Sequence, residues 1–269
     1  MATAPEATTM PLTEHLEELR WRIVKSVGAT AVAFAITYGF ATRIFDFLTA
    51  PLISQLADSV DLIGTGVTEA FFTKLKVSLI AAFFLASPVI FHQVWGFIAP
   101  GLYENEKQHA RPFVFFATLF FVLGAAFCYY MVFPLAFVFF VKEFESIGVV
   151  PALRITEYLS FASRMLLAFG VIFELPVFTY FLARIGLVNH KSMIAWVRYA
   201  VVLSFVVAAL LTPADAASQF MMAGPLIVLY CLSIGVAYLV GRENVVSHSD
   251  REDDQETDGA DGESKSDSE

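Results

Sequence analysis

Charge is scarce in this chain. Only 16% of its 269 residues are Asp, Glu, Lys or Arg, against about 25% in a soluble domain. Hydrophobic residues reach 57% and mean hydropathy is +0.67, which argues against an ordinary soluble enzyme. Cysteine is nearly missing. Cys128 and Cys231 each lie inside a long apolar run, where buried thiols are the simplest reading. With no C-x-x-C there is no support for a zinc site or a secreted disulfide scaffold. No Gly-rich phosphate loop follows a strand, and neither G-x-S-x-G nor H-E-x-x-H occurs, so no nucleotide site is expected. The histidines (His15, His92, His109, His190, His248) are scattered. Glu106 and His109 stand at i, i+3 without a second pair, so no metal or other cofactor is expected. A basic excess is also lacking. Residues 242–269 hold 11 acids and 3 bases, while residues 1–241 are nearly neutral, so the body is no nucleic-acid binder. Residues 1–11 have neither a positive n-region nor an apolar h-region, which predicts that the first span is retained.

Long hydrophobic runs are what the chain does have. Crossing about 30 Å of hydrocarbon takes about 20 apolar residues in a helix. Six runs qualify, over 23–42, 71–98, 112–141, 158–182, 195–212 and 218–240. They are continuous and not alternating, which excludes a membrane β-barrel. The fold class is an all-α membrane protein: six transmembrane helices in a kinked, concave bundle. Kinks are expected at Pro88, Pro134, Pro176, Pro213 and Pro225, and the fifth and sixth runs are short for a full bilayer. An even number of spans places both termini on one side. Nine Lys or Arg fall on that side, tail ignored, and six on the other, so both termini are expected in the cytoplasm. The expected domains are a cytoplasmic N-terminus with an interfacial amphipathic helix (1–22), a six-span membrane domain (23–240) and a disordered acidic cytoplasmic tail (241–269). No internal repeat is evident, which weakens an inverted-repeat transporter.

Four clusters carry candidate chemistry. In PLTEHLEELRWRI, Leu12, Leu16, Leu19 and Ile23 share one helical face, Glu14, Glu18 and Arg22 the opposite one, and Arg20 lies at the edge. The segment is either a helix on the membrane surface offering Glu18 to a partner, or a solvated Glu14–Glu18–Arg22 ladder. Residues 91–112 bring Trp95, Phe97, Tyr103, Glu104, Glu106 and Lys107 to the cytoplasmic end of the second span. Glu106 with Glu18 would make an acidic patch suited to a guanidinium. The plain alternative is a solvated loop with aromatic anchors. Glu174 falls near the middle of the fourth span, two residues before Pro176. A carboxylate there is by default functional, the alternative being a protonated Glu bonded to freed backbone. In LLTPADAASQ, Thr212, Asp215, Ser218 and Gln219 are turn and cap residues or polar contacts to a neighbouring helix.

Several segments, in order, resemble the TatC family, the polytopic subunits of the twin-arginine protein translocase. They are HLEELRWRI, SPVIFHQVWGFIAPGLYENEK, VFPLAF, YLSF, AFGVIFELPV and LLTPADAASQ. Together they cover most of residues 12–240, and the acidic tail lies outside the resemblance. The resemblance implies a non-enzymatic receptor in the cytoplasmic (inner) membrane that binds the twin-arginine signal peptides of folded precursors. It implies recruitment of single-span TatA- and TatB-type partners for export driven by the proton motive force, with several copies per complex. Glu18, Arg20, Phe97 and Glu106 match its signal-peptide positions. Glu174, Thr212 and Gln219 match its intramembrane and partner-docking positions, and Asp215 falls in the same turn. Pro51 and Pro100 match structural loop positions. Two residues depart from the family pattern: Glu17 adds an acid beside Glu18 able to share its role, and Arg164 is a base in the fourth span, either paired with a carboxylate or at the periplasmic edge. The competing readings are a proton-coupled small-solute transporter using Glu174 and a membrane scaffold with no ligand.

Overall fold

The computed structural model describes residues 12–55, 62–98, 110–150, 152–212 and 216–263. The described residues are mainly helical. Their only β pairing is an isolated bridge between Ile63 and Arg154. The chain divides into two compact units, residues 1–171 and 172–269.

The first unit opens with α1 (Leu12–Tyr38), which turns by 84° into α2 (Ala41–Ile53). It is completed by α3 (Glu69–Ile98), α4 (Ala110–Phe127), a π-helical segment (Cys128–Val132), α5 (Phe133–Ser146) and α6 (Ile155–Phe173). The second unit holds α7 (Leu175–Arg184), α8 (His190–Ala195), α9 (Val197–Leu211) and α10 (Ala216–Glu263).

Four helical stretches are long and apolar enough to cross a membrane: Glu69–Phe97, Pro112–Ser146, Ile155–Arg184 and Ser218–Gly241. The bent pair α1–α2 makes a fifth if it counts as one span. The fifth predicted run is only the 15-residue α9, about 22 Å long at 1.5 Å per residue. Side chains such as Val32, Phe115, Leu203 and Leu210 are more than 60% exposed. Surface of that kind needs hydrocarbon around it, because water would drive it to aggregate.

Three boundaries differ from the sequence reading. The interfacial helix expected over 1–22 and the first span are one element, because α1 runs unbroken through Arg22 and Ile23. The turn at Gly39–Phe40 falls inside the run read to residue 42. At the other end, α10 continues through Glu263 where an unstructured tail was expected. Residues 242–263 contain no proline, and they elongate a helix already nucleated within the membrane.

α1 packs on α3 through small residues. Ala33 meets Ala82 and Ala86, with Ala29, Phe34 and Ile90 alongside. Small side chains let helix axes approach where lipid supplies no hydrophobic drive. Thr37 Oγ1 donates to the Ser78 carbonyl at 2.8 Å and ties the same pair further along. Phe121 of α4 is buried, with ring contacts to Phe83, Phe84 and Phe91 of α3.

The prolines are accommodated in different ways. Pro88 and Pro225 lie within continuous helices. A proline cannot bond the carbonyl four residues back, and local donors replace it. At Pro88 the freed carbonyl is that of Phe84, which accepts from the Ser87 hydroxyl at 2.7 Å. Pro51 lies inside α2, and its freed carbonyl, that of Phe47, accepts from Tyr129 OH at 2.6 Å. Tyr129 sits in the π-helical segment just before Pro134, so the irregular turn at one proline positions the donor for another. Pro176 opens α7 after a break at Glu174. Pro213 lies outside the described residues. Both cysteines are free. Cys128 is buried as predicted, whereas Cys231 is exposed on α10, where an apolar thiol tolerates lipid.

Candidate functional site

The acidic site begins at the N-terminal end of α1. Glu18 is half-buried, and its Oε1 accepts from Arg22 Nε at 3.0 Å and from Arg22 Nη2 at 2.5 Å. One turn of α1 thus provides both partners, at i, i+4. The His15 ring is 4.0 Å from Glu18 Oε2 and stacks on Phe97 of α3, centroids 4.3 Å apart. The Arg22 guanidinium lies over Gly96: a Cβ built on that glycine would be 2.0 Å from Nη1. The polar side of α1 therefore faces the C-terminal end of α3. Leu16 and Ile23, expected to bury the helix in the membrane surface, are 64% and 53% exposed, an orientation that turns them toward lipid. Trp95, 2% exposed, packs in a tilted ring contact on Phe113 of α4, centroids 4.5 Å apart, and anchors this end of α3.

Of the signal-peptide candidates, Glu18 and Phe97 are brought together through His15. Arg20 and Glu17 are exposed on the other side of α1. Glu106 and Pro100 lie outside the described residues. The Glu18–Arg22 rung of the solvated-ladder reading forms, but against α3 and not in open water. Sequence reasoning gave no role to Gly96; its signal is a glycine immediately before Phe97.

Glu174 belongs to the second unit. It is 3% exposed, and it occupies the break between α6 and α7, at the position preceding the first turn of α7. Its backbone carbonyl accepts from Phe178 N at 2.9 Å. The break follows from Pro176 two residues on, which removes a donor from the helix.

Thr212 closes α9, with its hydroxyl donating to the Ala208 carbonyl at 2.9 Å. Gln219 on α10 reaches across to α9, where its Nε2 donates to the Phe205 carbonyl at 3.0 Å. Phe205 and Phe220 pack edge to face beside it. Ser218 is buried, and Asp215 lies outside the described residues. The Gln219 bond is the helix-to-helix contact that its position at a span end suggested.

A residue the sequence reading passed over organises the opposite end of the first unit. Glu69 Oε2 accepts from Thr65 N at 2.6 Å and Gly66 N at 2.9 Å. Its Oε1 accepts from Thr156 N at 3.1 Å and from the Thr156 hydroxyl. One carboxylate thus caps the start of α6 and fixes the turn that opens α3. The recoverable signal was a threonine and a glycine just ahead of Glu69.

The family model for TatC, Sec-independent protein translocase protein, matches residues 14–225. The chain belongs to the TatC family. It is 45% identical over 260 residues to the Sec-independent protein translocase protein TatC of Desulforapulum autotrophicum, covering 94% of this chain and 96% of that one. The TatC protein of Aquifex aeolicus is 38% identical over 235 residues, 87% of this chain and 97% of its own. Among solved structures, the crystal structure of a twin-arginine translocase receptor, TatC, superposes with a TM-score of 0.76 at 37% identity. That likeness covers 84% of this chain and 99% of the other. This TatC-family chain is therefore a multi-pass, all-helical component of a protein translocase, a family of transport receptors and not of catalysts.

Proposed function

We propose that this chain is the signal-peptide receptor and core subunit of a twin-arginine translocation system in the cytoplasmic membrane. It has six spans and both termini in the cytoplasm. Glu18 and Glu106 receive the paired arginines of the signal, with Arg20 and Phe97 at the edges of the same site. Export is driven by the proton motive force.

The observation that carries this reading is the state of Glu18. Its carboxylate already holds a guanidinium in two charge-assisted hydrogen bonds, from Arg22. The site is thus chemically and sterically fit for an arginine side chain. Oε2 lies 4.0 Å from a histidine ring and remains the oxygen on which an incoming guanidinium would land. Two carboxylates offset the desolvation of two cations better than one, and arginine suits them because its planar fork pairs in two places.

Glu174 and the α9–α10 hairpin form the second functional region. A carboxylate buried at a helix break is suited to the deeper part of a signal peptide or to a single-span TatA- or TatB-type partner. Thr212, Asp215 and Gln219 mark where the partner's helix docks, and several copies assemble with those partners. Pro51, inside α2, and Pro100 have structural roles and touch no ligand. Membership of the TatC family favours this over the small-solute transporter.

The test is export of a folded reporter carrying a twin-arginine signal, in cells whose own TatC has been deleted. The intact chain restores export. The Glu18→Ala, Glu106→Ala variant reaches the membrane in normal amount and restores little. Full export by that variant would remove the site assignment.

A further inference from the structure

Two cations from different helices converge on one serine in the first unit. Lys76 of α3 donates through Nζ to Ser160 Oγ at 2.7 Å. Arg164 of α6 donates through Nε to the Ser160 carbonyl at 3.0 Å. Lys76 stands seven residues into α3 and Arg164 nine into α6. That is about 10 and 14 Å along the helices, inside the apolar stretch and not at its rim. Among the described residues, neither has a carboxylate within ion-pair distance. Of the described acids at this end, Glu69 is held by Thr65, Gly66 and Thr156, and Glu157 pairs with Arg154 at 3.2 Å. Two cations at this depth, with no carboxylate partner among the described residues, form a site suited to an anion.

The same lysine borders an open groove between α1 and α3. Its volume is about 790 Å³, and its walls include Val27, Ala31, Phe34, Phe72 and Leu79. The groove is apolar and elongated, running from Val27 to Phe34 along α1 and from Phe72 to Phe83 along α3. The Lys76 stem lines it while the Lys76 ammonium reaches Ser160. A charged head site is thus continuous with an apolar channel.

We propose that Lys76, Arg164 and Ser160 bind the phosphate of an anionic phospholipid, one of whose acyl chains lies in the α1–α3 groove. A phosphodiester carries the missing charge and accepts hydrogen bonds from both side chains. Although both backbone positions lie about two to three turns inside the stretch, long cationic side chains extend back toward the interface where such headgroups lie. The occupant is a lipid because charge and apolar length are required together.

The test uses the purified full chain in a neutral detergent. Binding of phosphatidylglycerol and of phosphatidylcholine with the same acyl chains is titrated, with inorganic phosphate as a third ligand. The intact protein is expected to prefer phosphatidylglycerol by about tenfold or more, equivalent to about 1.4 kcal/mol. The Lys76→Gln, Arg164→Gln variant keeps hydrogen-bond donors and loses that preference. Leu79→Trp, which fills the groove and leaves both cations, weakens phosphatidylglycerol binding and keeps the protein folded. Equal binding of the two lipids by the intact chain would overturn the proposal. So would an undiminished preference in the double variant, or inorganic phosphate binding as tightly as phosphatidylglycerol.

Discussion

Arg22 of α1 lies directly on Gly96 of α3, so close that the glycine has no room for a Cβ while the guanidinium keeps its place. That contact turns the Glu18–Arg22 pair inward and fixes which carboxylate oxygen is left for a ligand. It predicts an effect of Gly96→Ala on binding more than on stability. The arginine is flexible and an exposed or half-exposed ion pair is worth about 0–1 kcal/mol, so thermal unfolding changes little. Affinity for a twin-arginine signal peptide changes by about tenfold as Glu18 reorients. Peptide titration and a thermal scan on the same preparation check both parts.

Tyr129 and Pro51 form a compensating pair. Tyr129→Phe leaves the Phe47 carbonyl without its donor, which costs about 1–3 kcal/mol. Pro51→Ala restores the backbone N–H that the carbonyl lacks. The double variant is therefore more stable than Tyr129→Phe alone, a coupling of opposite sign from simple addition. Unfolding midpoints of the four proteins in one detergent decide it.

Gly170 of α6 faces Phe121, and a Cβ there would come within 2.7 Å of the ring. Phe121 is 2% exposed among three phenylalanines of α3 and has nowhere to move. Gly170→Ala is predicted to destabilise by about 1–3 kcal/mol through overpacking. Thermal unfolding is the measurement.

Gln219 ties α10 to α9 through the Phe205 carbonyl. Gln219→Ala is expected to lose about 1 kcal/mol of stability, read as a lower unfolding midpoint. If Gln219 also receives a partner helix, cross-linking between the α9–α10 hairpin and a single-span partner falls in the same variant.

The sequence exposed the apolar runs, the buried carboxylate at Glu174 and the residues of the α1 and α3 ends. It did not expose which way α1 faces. Periodicity separates the Glu18 side from the Leu16 side, but a polar stripe reads the same against water or against a neighbouring helix. In a membrane the solvent for Leu16 is lipid, which reverses the usual inside and outside. The turn at Gly39–Phe40 was hidden because Ala41 continues an apolar run. Helix α2 was hidden because Pro51 suggested a loop, and the donor that allows a proline there comes from Tyr129, 82 positions from Phe47. Glu69 was missed because its partner Thr156 is likewise remote in sequence. What depends on one helix was legible, and what depends on a second helix was not.

The central claim is that Glu18 belongs to a site that reads paired guanidinium groups. Its most direct test is binding of a labelled signal peptide to the purified protein, comparing Arg-Arg with Lys-Lys, for the intact chain and for Glu18→Ala, Glu106→Ala. Lysine keeps the charge and loses the planar fork. The account predicts clear preference for Arg-Arg, abolished in the double variant. Equal binding of both peptides, unchanged by the substitutions, would contradict it.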